Sequence, residues 1–149
     1  MKYLLLIAVV CMASCKAQKE GQGSDQDSDI VLIAEDAYSG IATYESAIIT
    51  DAKALSKFYS RINRTRKPGL PVPQVDFSSE MVVVVCMGEQ KGAKTPVLNR
   101  YNESENQLSL TLKPSMDSSQ DGLEVISSPF YVYKMPSTPK KVEIQKKGW

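Results

Sequence analysis

A chain of 149 residues carries 18 Lys and Arg against 17 Asp and Glu, with no His and three Cys. Its length suits one domain rather than two. The near-neutral balance argues against nucleic acid as a partner. The missing imidazole removes the commonest general base and the commonest metal ligand, so no enzyme, metal or cofactor is expected.

Taken in chain order, Met1–Ser14 reads as a lipoprotein signal peptide. Lys2 supplies the positive charge, and Leu4–Val10 is an apolar run of about 7 residues, too short to span a bilayer. Met12-Ala13-Ser14-Cys15 looks like a lipobox, with small residues before the cysteine and Met12 where leucine is usual. Residues 1–14 are then removed and Cys15 becomes the acylated first residue, anchoring the chain to the membrane. Lys16 follows the cysteine. An aspartate there would resemble an inner-membrane retention signal, so its absence favours the bacterial outer membrane, with the periplasmic or cell-surface face left open. Residues 15–29 read as the lipidated cysteine and a flexible tether rich in Gly, Ser, Gln and Asp, with a reach of about 20 Å. Asp25, Asp27 and Asp29 lack the glycine and distal glutamate of a calcium loop and belong to that solvated tether. Cys11 leaves with the signal and Cys15 is taken by lipid. Cys86 then stands alone, so the mature domain is held without an intramolecular disulfide.

The domain spans Ile30–Trp149. Ile30–Ala34 reads as a first strand, with a turn around Ser39-Gly40 and a second strand at Ser46–Thr50. Asp51–Arg64 is the one convincing helix, capped by Thr50 or Asp51. Ala52, Leu55, Phe58 or Tyr59, and Ile62 recur at helical spacing and define its core face. Lys53, Lys57 and Arg61 recur on its polar face, and Arg61 and Arg64 sit where the helix dipole favours cations. Pro68, Pro71 and Pro73 exclude further helix.

Met81–Met87 is an unbroken apolar strand, so both faces are expected to be buried. Val82, Val84 and Cys86 point one way and Val83, Val85 and Met87 the other. That pattern predicts a central strand with the helix on one side and more sheet on the other. Val97–Tyr101 and Gln107–Lys113 read as a hairpin turning at Asn102–Asn106. In its second arm Leu108, Leu110 and Leu112 point inward, and Ser109 and Thr111 outward. Pro114–Gly122 reads as a polar loop. Leu123–Ile126 and Phe130–Met135 are further strands, broken at Ser128-Pro129. Lys141–Gln145 is a last edge strand whose lysines discourage association. The expected fold is β-rich α+β: an antiparallel sheet or small sandwich with one packed helix.

Several residues invite a chemical reading. Asp76 precedes Ser78 in a spacing that fixes an Asx-type turn, with Phe77 plugging the core. Cys86 lies in an apolar strand with no histidine to activate it, which disfavours a thiolate. Tyr131 and Tyr133 make one face of their strand tyrosine-rich, by default for packing and otherwise for protein contact. Lys53, Lys57, Arg61, Arg64, Arg66 and Lys67 form the one basic concentration, which suits a solvated helix face or an acidic partner.

The run Val75-Asp76-Phe77-Ser78, then Met81 and the valines, then Gly88-Glu89, resembles the C-terminal domain of the protease complex subunit PrcB family. Ser128-Pro129-Phe130, the strand to Pro136 and the helix before the proline-rich stretch fit the same pattern, so the likeness covers Ile41–Pro136. Family members usually carry a glycine-rich turn of Thr-Gly-Gly-Tyr type after Gly-Glu, where this chain has Gln90–Pro96. The resemblance implies a lipid-anchored accessory protein of a secreted protease, a non-catalytic binder or scaffold for another exported protein. Within Gln90–Pro96, the residues Lys91, Gly92, Lys94, Thr95 and Pro96 are the candidate partner contacts. They follow the most buried strand, and Pro96 limits the loop's conformations and so the entropy cost of binding. The alternative function is a peptidase inhibitor that presents the same loop.

Overall fold

The computed structural model describes residues 27, 29–92, 95–115 and 125–149. In chain order these form β1 (Val31–Asp36), β2 (Glu45–Ile49), α1 (Ala52–Ile62), β3 (Glu80–Cys86), β4 (Gln90–Lys91), β5 (Pro96–Glu103), β6 (Gln107–Pro114), β7 (Ile126–Ser127), β8 (Phe130–Pro136) and β9 (Lys141–Lys146). The signal segment, Cys15, Lys94 and most of the tether and polar loop lie outside the described residues. No helix among the described residues is long and apolar enough to cross a membrane.

Three layers stack on β3. A four-stranded antiparallel sheet runs β1-β8-β3-β2, a second sheet runs β5-β6-β9, and β4 and β7 make a two-stranded ribbon. The unbroken apolar run of β3 explains the stacking. Val82, Val84 and Cys86 face α1 and pack with Leu55, Phe58, Tyr59, Ile62, Phe130 and Val132. Met81, Val83, Val85 and Met87 face the second sheet and pack with Leu98, Leu108, Leu110 and Leu112. The fold is therefore β-rich α+β with one packed helix, as the residue pattern predicts. Full burial of a valine side chain contributes roughly 1.5–3 kcal/mol, so one strand serving two cores is the main energetic hub of the molecule.

The helix begins where its cap dictates. Asp51 is extended (φ −150°, ψ 156°) and its carboxylate accepts the Ala54 N–H at 2.8 Å. Ala52, however, is exposed, and both Phe58 and Tyr59 are buried. The helix face is thus rotated from the expected stripe, with Ala54 half-buried in place of Ala52. Phe58, Tyr59 and Phe130 meet edge-to-face with centroids 5.6–6.5 Å apart, the arrangement the ring quadrupole prefers.

Three further expectations are corrected. The last strand, β9, runs parallel to β6, with Leu108 opposite Val142 and Leu110 opposite Ile144. The chain leaves β6 and passes through β8 of the other sheet before returning, and such a crossover lets a strand arrive in the same direction. Thr111 and Ser109 are buried, not outward and exposed, with Thr111 only 2% accessible. β6 is the middle strand, so Thr111 sits between Asn99 of β5 and Gln145 of β9. Lys147 then reaches across to the Tyr101 ring, 3.7 Å from its centroid. Finally, the tether ends earlier than Asp29. Asn99 Oδ1 accepts the Asp27 N–H at 3.0 Å, the Arg100 N–H donates to the Asp27 carboxylate, and Asp29 pairs with Arg100 at 2.8 Å.

Candidate functional site

Where β3 ends, the chain is forced into a narrow path. Met87 N–H donates to Pro129 O at 2.9 Å, and Glu89 N–H to Ala42 O at 3.0 Å. Gly88 between them has φ +75°, and a Cβ there would lie 2.9 Å from Ala42 O and the Thr43 carbonyl carbon. Only glycine satisfies both the left-handed conformation and that close approach. Gly88-Glu89, one of the pairs that carries the family resemblance, is thus a structural pin. It hands the chain to β4, whose Gln90 and Lys91 stand opposite Ser127 and Ile126 of β7. Gly92 after it has φ +70° and open space around it.

The ribbon changes the meaning of the Gln90–Pro96 segment. Gln90 and Lys91 belong to a strand pair rather than a free loop. Pro96 is buried, and its carbonyl accepts the Tyr133 hydroxyl at 2.8 Å. Ser115 N–H donates to Thr95 O at 2.8 Å. Pro96 is therefore an anchor and not a contact residue at the tip, while Lys91, Gly92 and Thr95 are exposed. Lys94 lies outside the described residues. Tyr131 and Tyr133 are buried between the sheets, which removes them as a contact patch. Burial pushes the Tyr131 hydroxyl up to about 12, aided by the Glu35 charge and opposed by a hydrogen bond with Thr95.

Apolar groups are exposed beside Lys91 at the ribbon. Val125 is 63% and Ile126 65% accessible. Next along the chain, Ser128 bridges to Tyr38, which is also exposed, and Ser39 N–H donates to Ser128 O at 2.6 Å. Arg66 holds Tyr38 from behind: it pairs with Asp36 at 2.5 Å, donates to Tyr38 O and lies 5.9 Å from the Tyr38 ring centroid. Burial alone would raise the Asp36 carboxyl, but hydrogen bonds from Arg66 and the Tyr38 N–H and the Arg66 charge hold it below its usual value. Within the ribbon, the facing Gln90 and Ser127 bury an amide nitrogen and a hydroxyl without partners among the described residues. Ribbon and bridge thus present aliphatic and aromatic side chains beside Lys91.

The remaining sequence candidates are structural. Cys86 is a buried free thiol, pushed up to about 12 by burial, with Glu45 adding to the shift and Arg61 opposing it. Asp76 accepts Ser78 N–H at 3.0 Å and the Ser78 hydroxyl at 2.6 Å, closing the expected Asx turn. Those two bonds, with one from Ser79, lower its carboxyl pKa. The basic concentration is divided: Arg61 pairs with Glu45 and Arg66 with Asp36, while Lys57 and Arg64 flank a groove beside the helix. No family model, curated protein or solved structure matches the chain.

The exposed Val125, Ile126 and Tyr38 were not legible as contact residues. Leu123–Ile126 reads as an ordinary strand; Leu123 and Glu124 lie outside the described residues, and the strand observed there is Ile126–Ser127.

Proposed function

We propose that this chain is a non-catalytic lipoprotein of the bacterial cell envelope, held to the outer membrane through Cys15, that binds or scaffolds another exported protein. The single observation that supports binding is the β4–β7 ribbon, which displays Val125 and Ile126 beside Lys91. Exposed apolar groups on an ordered scaffold are a common basis of protein recognition. The lipobox at Met12–Cys15 supports anchoring. The PrcB-like run from Val75 to Glu89 supports a secreted protease as the exported partner. An inhibitor presenting residues 90–96 would need that segment to insert into a cleft, and the pairing of Gln90 and Lys91 with β7 works against this.

The test is crosslinking in native envelope membranes, followed by purification through the chain. The wild type should capture one exported protein without loss of that protein's activity. Ile126→Asp with Lys91→Glu should lose it while staying folded. Inhibition of a captured peptidase would favour the inhibitor instead. Cys15→Ser should move the protein from the membrane fraction to the soluble one, because stable anchoring needs two or more acyl chains at that residue. Retention after a high-salt wash would contradict the lipid anchor.

A further inference from the structure

We infer that a second surface, the groove between α1 and the free edge of β2, receives an extended acidic segment of a partner protein, which adds to β2 as a further strand. The inference rests on the protein-binding reading above and assigns it a mode and a ligand chemistry.

The argument starts from sheet edges. β2 ends its sheet and pairs with β3 alone, through an unbroken register from Glu45–Cys86 to Ile49–Val82. An unpaired strand edge is a template for another chain, and proteins usually blunt it with bulges, lysines or proline. The other edges of the two larger sheets carry such devices. β1 has a register shift at Leu32/Ala34, β5 has one at Arg100/Asn102, and β9 bears Lys141 and Lys146. β2, with the sequence Glu-Ser-Ala-Ile-Ile, has none of them.

Beside that edge lies an open groove of about 650 Å³. Its floor is apolar: Ala47 and Ile49 of β2, Val84 behind them and Phe58 of the helix. Ala47 is exposed although it sits on this floor. An edge strand next to a helix, with an apolar trough between, is the setting in which main-chain pairing supplies affinity and alternate side chains supply specificity.

Charge selects the occupant. Glu45 is neutralised by Arg61. Lys57 and Arg64 also line the groove, and neither has an acidic partner among the described residues. The rim is therefore net positive and complements carboxylates on the incoming segment. A second copy of this chain is disfavoured, because pairing β2 with β2 would bring two sets of Lys57 and Arg64 together.

The experiment pans a displayed library of short random peptides on the folded domain. Recovered sequences should alternate Asp or Glu with aliphatic residues. A synthetic version should slow hydrogen exchange of the β2 amides. N-methylation of alternate backbone nitrogens in that peptide should abolish binding. The double variant Lys57→Glu, Arg64→Glu should weaken it by at least about ten-fold, and Ala47→Trp, which fills the trough, should eliminate it. All three positions are exposed, so thermal unfolding should show both variants folded.

Failure to recover peptides, recovery of peptides without acidic residues, equal binding to the charge-reversed variant, or unchanged β2 exchange would each overturn the proposal. So would a concentration-dependent dimer that Ala47→Trp abolishes, since the groove would then belong to a second copy. If Ala47→Trp still binds the acidic peptide, the groove assignment fails and the binding reading, which the ribbon carries, stands. If the wild type captures no exported protein, the binding reading itself fails and the groove assignment fails with it.

Discussion

Val82–Val85 of β3 and Val125–Ile126 at β7 are chemically alike and meet opposite fates. The first run is at most 2% accessible, and the second pair more than 60%. The difference lies in their neighbours. β3 has a strand on each side, a helix over one face and a sheet over the other. β7 is two residues long and pairs with two residues of β4. Every fully buried valine adds roughly 1.5–3 kcal/mol to stability, and the ribbon leaves that gain unrealised. Aliphatic residues left exposed in this way are available to a partner.

The largest expected effect falls on the buried side of this comparison. Val84→Asp places an unpaired carboxylate between β3 and the helix. The cost of several kcal/mol is comparable with the whole stability of about 5–15 kcal/mol. The variant should be unfolded by circular dichroism at room temperature. Next comes the pin between the two regions. Gly88→Ala combines positive φ with a 2.9 Å approach to Ala42 O and should cost about 1–3 kcal/mol. Gly92→Ala shares the positive φ (+70°) but meets open space, so its cost should be smaller, about 1 kcal/mol. Denaturant unfolding of the pair separates close approach from backbone conformation. Equal losses would contradict the packing of Gly88 on residues 42–44.

How far such contrasts were visible beforehand differs between the two regions. β3 was legible because seven consecutive buried residues cannot alternate, and the helix because Asp51 caps it and Leu55 and Ile62 repeat at the right spacing. The parallel direction of β9 was not, since alternation of Val142 and Ile144 marks a strand but says nothing of which way its neighbour runs. Thr111 misled for a related reason: alternation assigns it to the outer face, yet its burial depends on flanking strands that no local pattern counts. The ribbon was half legible. Gly88-Glu89 enters the sequence reading only through the family resemblance, and Leu123–Ile126 reads as a strand with no local sign that Val125 and Ile126 stay exposed. The groove required the lateral placement of α1 against β2, which periodicity does not contain.

Smaller effects sharpen the account. Asp51→Ala removes the cap that receives the Ala54 N–H and should cost about 1 kcal/mol, read as a lowered unfolding midpoint. Acid should act in the same direction. Asp36, Asp76, Glu80 and Glu103 all have carboxyl pKa values below the ordinary 3.8 or 4.5. Their stabilisation is therefore present above those ordinary values and is lost as pH falls below them. The midpoint should be flat near neutral pH and decline below about pH 4.5. Asp36→Asn should reduce the decline, because Arg66 and the Tyr38 N–H hold the Asp36 carboxylate in a half-buried setting. The smallest change in stability belongs to Ile126→Asp, expected to stay within about 0.5 kcal/mol of wild type. A large loss would mean that the ribbon is core after all.

The most direct measurement places a photocrosslinking amino acid at position 126 and irradiates intact envelope membranes. A discrete adduct with one exported protein should form, and it should disappear with Lys91→Glu while the domain remains folded. Irradiation that yields no protein adduct, with the chain folded and membrane-bound, would contradict the assignment of the exposed ribbon to a partner.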